Sequence, residues 1–271
     1  MSLPERFQFT QSSLQDYLDC PRRFQLRHVL DQPWPAVESE PLIERERQAE
    51  LGRRFHQMTQ RHTVGVPVEQ ITASTQDAEL ARWWRNYLYV PPQGLPSALR
   101  RAEMTLTTPL GAHRLSAKYD LVALEPGRRA VIVDWKTERK RPTRAQLAAR
   151  MQTRVYRYVL VEAGAALNGG QPIEPEQVSL VYWFAEFPAE PEVLAYDSAQ
   201  HADDAAFLTR LVEDIAARTE AEWPKTNEEM RCKYCTYRSL CDRGIAAGTG
   251  DESDVELDLE ITLAEVEEIA Y

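Results

Sequence analysis

Apolar and polar positions alternate most clearly from Leu115 to Thr137, LSAKYDLVALEPGRRAVIVDWKT. Two apolar runs flank Glu125-Pro126-Gly127-Arg128. Pro followed by Gly signals a turn, because Pro presets φ and Gly accepts positive φ. The pattern predicts antiparallel strands over 116–124 and 129–137. A loop of Pro126, Gly127 and Arg128 sets Asp120 opposite Asp134. Side chains alternate along a strand, so Tyr119, Leu121, Ala123, Val131, Val133 and Trp135 should form an apolar face. Asp120, Asp134 and Lys136 fall on the other face, with Val122 and Ile132 nearer the turn. Before this hairpin, 12–28 reads as two short helices broken near Cys20-Pro21. Ser12 or Ser13 would cap the first, and Pro21 suits the first turn of the second. Helices are expected at 44–62 and at 76–89, the latter rich in Trp83, Trp84, Tyr87, Leu88 and Tyr89. A strand over 100–108 carries Glu103. After the hairpin, Thr143 can cap a helix over 144–166, strands follow at 177–187 and 192–196, and a last helix covers 199–222. The order is that of an α/β domain with a mixed sheet.

The polar face of the hairpin carries the candidate chemistry. Two carboxylates this close repel, which is costly without a compensating cation. A divalent ion supplies one, and Mg²⁺ takes oxygen ligands while keeping several waters. The plainer reading is a surface Asp–Lys pair, since Asp-x-Lys alone is common. Gln152 and Tyr156 are four residues apart on a predicted helix, so they share a face. His56 closes Gly52-Arg-Arg-Phe-His56 inside another helix. A glycine there costs about 1 kcal/mol relative to Ala, which suggests close packing or substrate approach.

Composition narrows the class. The chain has 271 residues, enough for one large domain or two small ones. No apolar run approaches the ~18 residues of a membrane span. The start, MSLPERFQFTQSS, lacks a signal-peptide pattern, so a cytoplasmic protein is expected. No Gly-x-x-x-x-Gly-Lys-Ser/Thr occurs, which argues against an ATP-driven motor within the chain. The net charge of −10 seems wrong for a nucleic-acid enzyme, but its distribution is uneven. Residues 249–271 hold nine acids and no Lys or Arg, leaving 1–248 almost neutral. The expected organisation is a folded body over 1–248 and an acidic tail over 249–271, where Thr262-x-x-Glu265 can cap a short helix. Within the body, Arg22-Arg23, Arg53-Arg54, Arg100-Arg101, Arg139-Lys140-Arg141 and Arg154 are local basic sites able to meet phosphates.

The cysteines are Cys20, Cys232, Cys235 and Cys241. Cys-x2-Cys is metal-like spacing, and a four-thiolate site needs Cys20 as well. Zn²⁺ and a four-iron cluster both accept four thiolates, and spacing does not choose between them. Either would staple the N- and C-terminal segments together.

Taken together, these motifs resemble the PD-(D/E)XK nucleases, and most closely the RecB-like branch of iron–sulfur type. That group includes the AddB nuclease domain and CRISPR-associated exonucleases. The resemblance rests on Ser-x-Leu-x-x-Tyr-x-x-Cys-Pro-x-x-Phe from Ser12, Gly52-x-x-x-His56, and Asp120 before Asp134-Trp135-Lys136-Thr137. It is completed by Gln152-x-x-x-Tyr156 and the late cysteines, all in order from Ser12 to Cys241. Ala117 stands where the family usually has Gly. The resemblance implies a restriction-endonuclease-like core and a Mg²⁺ or Mn²⁺ site of His56, Asp120, Asp134 and the Trp135 carbonyl. Glu103 would support that site, Lys136 would stand at the attacking water, and Gln152 and Tyr156 would lie beside it. Cys20, Cys232, Cys235 and Cys241 would hold a [4Fe–4S] cluster rather than Zn²⁺. The implied activity is DNA phosphodiester hydrolysis, as an exonuclease on single-stranded DNA, with Arg139, Lys140, Arg141 and Arg154 toward the DNA. The implied setting is DNA repair, recombination or CRISPR-type processing beside a helicase or CRISPR partner. The alternatives are a non-catalytic DNA-binding or assembly subunit and a zinc-stapled structural protein.

Overall fold

The computed structural model describes residues 3–4, 6–33, 40–219, 223–232 and 235–243, with side chains left out at 40–43 and 45. The acidic stretch 249–271, with its expected helix, lies outside them. The strands are β1 (Gln8–Thr10), β2 (Leu99–Leu110), β3 (His113–Glu125), β4 (Arg129–Lys136), β5 (Val178–Phe184) and β6 (Glu192–Ala195). The helices are α1 (Gln11–Asp19), α2 (Pro21–Phe24), α3 (Glu40–Thr63), α4 (Val68–Ala73), α5 (Ala78–Tyr89), α6 (Arg144–Ala149), α7 (Met151–Ala163), α8 (Ser198–Ala216) and α9 (Glu229–Cys232). A π-helical stretch, Gln25–Val29, continues α2. Strand β1 and helix α4 carry no clear periodic signal and were not expected.

One mixed sheet runs in the order β1-β3-β4-β5-β6, with β2 paired to β3. The hairpin register is the expected one: Glu125 faces Arg129 and Leu121 faces Val133. Strands β4 and β5 are parallel, so α6 and α7 form the crossover such a pair requires. Strand β2 pairs with both ends of β3. Strands β1 and β4 therefore share the opposite edge of β3, β1 at Arg114–Ser116 and β4 from Leu121 onward.

Both faces of the sheet are apolar and covered. On β4, Ala130 and Ile132 join a core with Tyr17 of α1, Val155 and Val159 of α7, and Leu208 and Val212 of α8. Val131, Val133 and Trp135 join a second core with Phe55 of α3, Ile71 of α4 and Trp83 of α5. Burial of each large apolar side chain contributes about 1.5–3 kcal/mol.

The expected single apolar face does not hold. Tyr119 packs in the first core with Val122 and Ile132, whereas Leu121 packs in the second. Alternation along β3 thus breaks between Tyr119 and Leu121. The partner strand is irregular at the same level. Ala102 pairs with Leu121 and Met104 with Tyr119, while Glu103 between them has φ +52°, rare for a residue other than glycine.

Two further expectations change. Thr10, not Ser12 or Ser13, caps α1, and Ser13 completes the capping box. The helix expected over 144–166 is split at Arg150, which is extended at φ −62°, ψ 140°. Neither Pro nor Gly marks that break. Thr153 Oγ1 donates to Leu147 O at 2.5 Å across it, and Arg150 itself reaches Glu138 at 2.9 Å. Thr143 does cap α6, with Gln146 closing the box, and Pro21 opens α2.

Candidate active site

The site is built where β3 and β4 part. Their last rung is Leu121–Val133, while β4 continues along β5 as far as Lys136–Phe184. Past that rung the Trp135 N–H donates to Asp120 Oδ2 at 2.8 Å instead of to a strand carbonyl. A side-chain carboxylate thus satisfies a backbone donor that the divergence would strand. Helix α3 is held by Leu51, Phe55 and Met58 in the second core, which sets His56 over the gap. His56 Nδ1 lies 3.1 Å from Asp120 Oδ1, and Nε2 lies 2.9 Å from the Trp135 carbonyl oxygen. Both partners accept only, so both ring nitrogens donate and the imidazole is protonated in this state. Burial pulls the His56 pKa down, but the Asp120, Asp134 and Glu103 carboxylates outweigh it and lift it to about 9. Burial likewise works to raise Asp120, while His56, the Trp135 N–H and Lys136 hold it below the usual carboxylate range.

Glu103 enters from β2. Ligand atoms of His56, Glu103 and Asp120 all lie within 4.8 Å of one another. Glu103 Oε2 also pairs with Lys118 Nζ at 2.8 Å.

Beside this trio stands a second group. Asp134 is 2% exposed. Gln152 Nε2 donates to Asp134 Oδ1 at 2.8 Å and to the Tyr156 hydroxyl at 3.2 Å. Gln152 Oε1 accepts from Lys136 Nζ at 2.8 Å. Because Lys only donates and the carboxylate only accepts, this pairing fixes the amide orientation. Asp134 Oδ2 lacks a hydrogen-bond partner. Lys136 Nζ stands 3.2 Å from it as an ion pair. Burial pushes the Asp134 carboxyl up to about 7 against the pull of Lys136. A buried acceptor without a donor, next to a clustered His–Glu–Asp trio, fits a divalent cation of the Mg²⁺ class.

The expected residues are placed as follows. His56, Glu103, Asp120, Asp134, the Trp135 carbonyl, Lys136, Gln152 and Tyr156 come together. The basic residues expected to face DNA are engaged with acids: Arg139 with Glu44, Arg141 with Glu192 and Arg154 with Asp204. Lys140 is exposed. Cys20, Cys232, Cys235 and Cys241 line one pocket together with Arg23, Lys225 and Arg243. Arg243 Nη1 lies 3.0 Å from Cys232 Sγ, and burial pushes the Cys235 and Cys241 thiols up. Among the described residues, no three cysteine sulfurs all lie within 4.8 Å of one another.

Three contributors were missed. Lys118, on Glu103, sits two residues before Asp120, and that same-face spacing was the available signal. Tyr182 is the β5 partner of Asp134. Its hydroxyl is 2.7 Å from Thr153 Oγ1 and 3.5 Å from Gln152 Oε1, and Lys136 Nζ lies 5.6 Å from its ring centre. Neither Tyr182 nor Thr153 has a local sequence signal, because the β4–β5 register is set across a long crossover.

Among curated proteins, none matches the sequence. A solved structure from Eubacterium rectale, described as a candidate exonuclease, is similar at 10% identity and a TM-score of 0.50, covering 91% of each chain. A second, SSO0001, shares 15% identity over 88% of this chain and 87% of its own, but its TM-score of 0.41 carries no weight. The family profile of the PD-(D/E)XK nuclease superfamily matches residues 8–242, a span that holds every residue of the site just described. The chain therefore belongs to the PD-(D/E)XK nuclease superfamily.

Proposed function

We propose that the protein is a metal-dependent DNA exonuclease acting on single strands. The observation that carries this reading is the meeting of His56, Glu103 and Asp120 within 4.8 Å, beside the Lys136–Gln152–Asp134 group. His56, Glu103, Asp120, Asp134 and the Trp135 carbonyl would hold Mg²⁺ or Mn²⁺. Such an ion supplies charge for a phosphoryl oxygen and activates water for attack. The chain supplies position and charge. Lys136 holds its ammonium at the mouth of the parted strands, where it can orient the attacking water and offset charge developing on phosphate. Gln152 keeps that ammonium and Asp134 in register. Tyr156 braces the Gln152 amide from the next turn of α7.

The test is cleavage of end-labelled and circular single-stranded DNA with Mg²⁺ or Mn²⁺. The linear strand should be degraded and the circle spared. Asp134→Ala and Lys136→Ala should each abolish cleavage while the protein stays folded. Wild-type-rate cleavage by either variant would falsify the assignment. Tight DNA binding without cleavage by the wild type would instead favour the non-catalytic subunit.

The four cysteines are proposed to hold a [4Fe–4S] cluster. Zn²⁺ bound by four thiolates is the alternative occupant of the same pocket. Arg23, Lys225 and Arg243 around the pocket would offset the thiolate charge. Visible absorbance of anaerobically purified protein separates the two, because zinc gives none.

A further inference from the structure

Lys118 belongs to none of the motifs that mark the site, yet it touches the group proposed to hold the metal. It precedes Asp120 by two residues on β3, and its ammonium lies 2.8 Å from Glu103 Oε2. Glu103 is held in a left-handed backbone conformation at φ +52°, which commits its carboxylate to this corner. Two carboxylates, Glu103 and Asp120, therefore stand within a few ångströms of each other. Like charges at that range need a counter-charge. Without a divalent ion, the chain provides it twice: protonated His56 on Asp120 and Lys118 on Glu103.

We infer, on the reading that this trio holds a divalent cation, that Lys118 is the resident counter-ion of Glu103. On loading, the divalent ion takes its place, and the freed ammonium turns to a DNA phosphate neighbouring the one cut. Lysine suits such an exchange. Its ammonium is a compact charge on a flexible four-carbon stem, with no fork geometry tying it to one carboxylate. The Lys118 side chain is 30% exposed against 17% for Glu103, so it has an open route away from its partner.

The inference makes opposite predictions for two kinds of binding. Removing Lys118 should tighten metal binding, because a competing cation is gone, and weaken DNA binding, because a phosphate contact is gone. Calorimetric titration with Mn²⁺ alone tests the first on wild type, Lys118→Met and Lys118→Arg, with Asp120→Asn marking heat from this site. Lys118→Met should bind Mn²⁺ about three- to tenfold more tightly, and Lys118→Arg should bind it no more tightly than wild type. Unfolding midpoints confirm that each variant is folded. For the second, single-stranded DNA binding with Mn²⁺ is measured in a cleavage-dead Lys136→Met background, with and without Lys118→Met. The slope of log affinity against log salt should fall by about 0.7, the loss of one phosphate contact on a single strand. Unchanged or weaker Mn²⁺ binding by Lys118→Met overturns the counter-ion role while leaving the metal site standing. An unchanged salt slope overturns the phosphate contact. Wild-type protein giving no Asp120-dependent Mn²⁺ heat overturns both this inference and the site itself.

Discussion

Gln152 is the residue through which Lys136 and Asp134 are joined. Its carbonyl end holds Lys136 and its amide end holds Asp134, so one side chain sets the spacing of an acid and a base. Gln152→Leu should lower kcat about 10- to 100-fold, the usual cost of losing a supporting contact at a metal site, with little change in KM. Steady-state kinetics on single-stranded DNA checks it, and a purely KM effect would assign Gln152 to substrate binding instead. Tyr182→Phe removes the hydroxyl that bridges Thr153 and Gln152 and keeps the ring beside Lys136. It should lower kcat only severalfold and shift the pH–rate profile, a readout that a packing role would leave in place. Asp120, Asp134 and Lys136 were legible because a Pro-Gly turn fixes their register locally. Tyr182 was not, because its position beside Asp134 depends on a strand pairing formed across the whole of α6 and α7.

At the scale of elements, the hairpin turned out as the turn chemistry demands, but its faces did not. The alternation rule assumes an unbroken pleat, and the pleat breaks at Glu103 and Asp120. No residue there announces the break, since neither is a glycine. The N-terminal helices show a different dependence on charge. Asp16, 1% exposed, is contacted by Arg23, Arg27 and His28 at 2.6, 3.2 and 2.9 Å, which ties α1 to α2 and the π-helical stretch. Burial acts to raise its pKa, but His28, Arg23 and Arg27 outweigh it and hold the carboxyl below its usual value of 3.8. A depressed carboxyl contributes stability that is complete above the unfolded value and fades as pH falls through the folded one. The wild type should therefore lose this contribution below pH 3.8. Asp16→Asn should be destabilised by about 2 kcal/mol at neutral pH and show a shallower acid loss. Denaturant midpoints between pH 2.5 and 7 decide it, and parallel curves for the two proteins would reject the ion network as the cause. Thr10→Ala should cost about 1 kcal/mol through loss of the α1 cap.

Across the whole molecule, the two ends of the described chain are sewn together. Tyr17 bonds Asp214 and Arg218, the Arg22 N–H donates to Pro224 O at 3.2 Å, and Arg231 bonds Asp19. The cysteine pocket lies in the same seam. Cys20→Ala should therefore reduce bound metal and unfolding temperature together, as metal-binding free energy becomes folding free energy. Full metal content in that variant would leave Cys20 a small packed side chain. Spacing alone tied the three late cysteines to each other. It could not tie them to Cys20, because nothing local in sequence reports which distant segments meet. Among the described residues no helix is long and apolar enough to cross a membrane. The seam also has a consequence for how the protein is made. Asp19 and Arg231 are 212 positions apart, which at about 5–20 residues per second of synthesis is roughly 10–40 s. During that interval the parted strands, α3 and α7 can already have left the ribosome, while Cys20 still waits for its companions. A nascent chain can therefore assemble its candidate site residues before it is sewn shut.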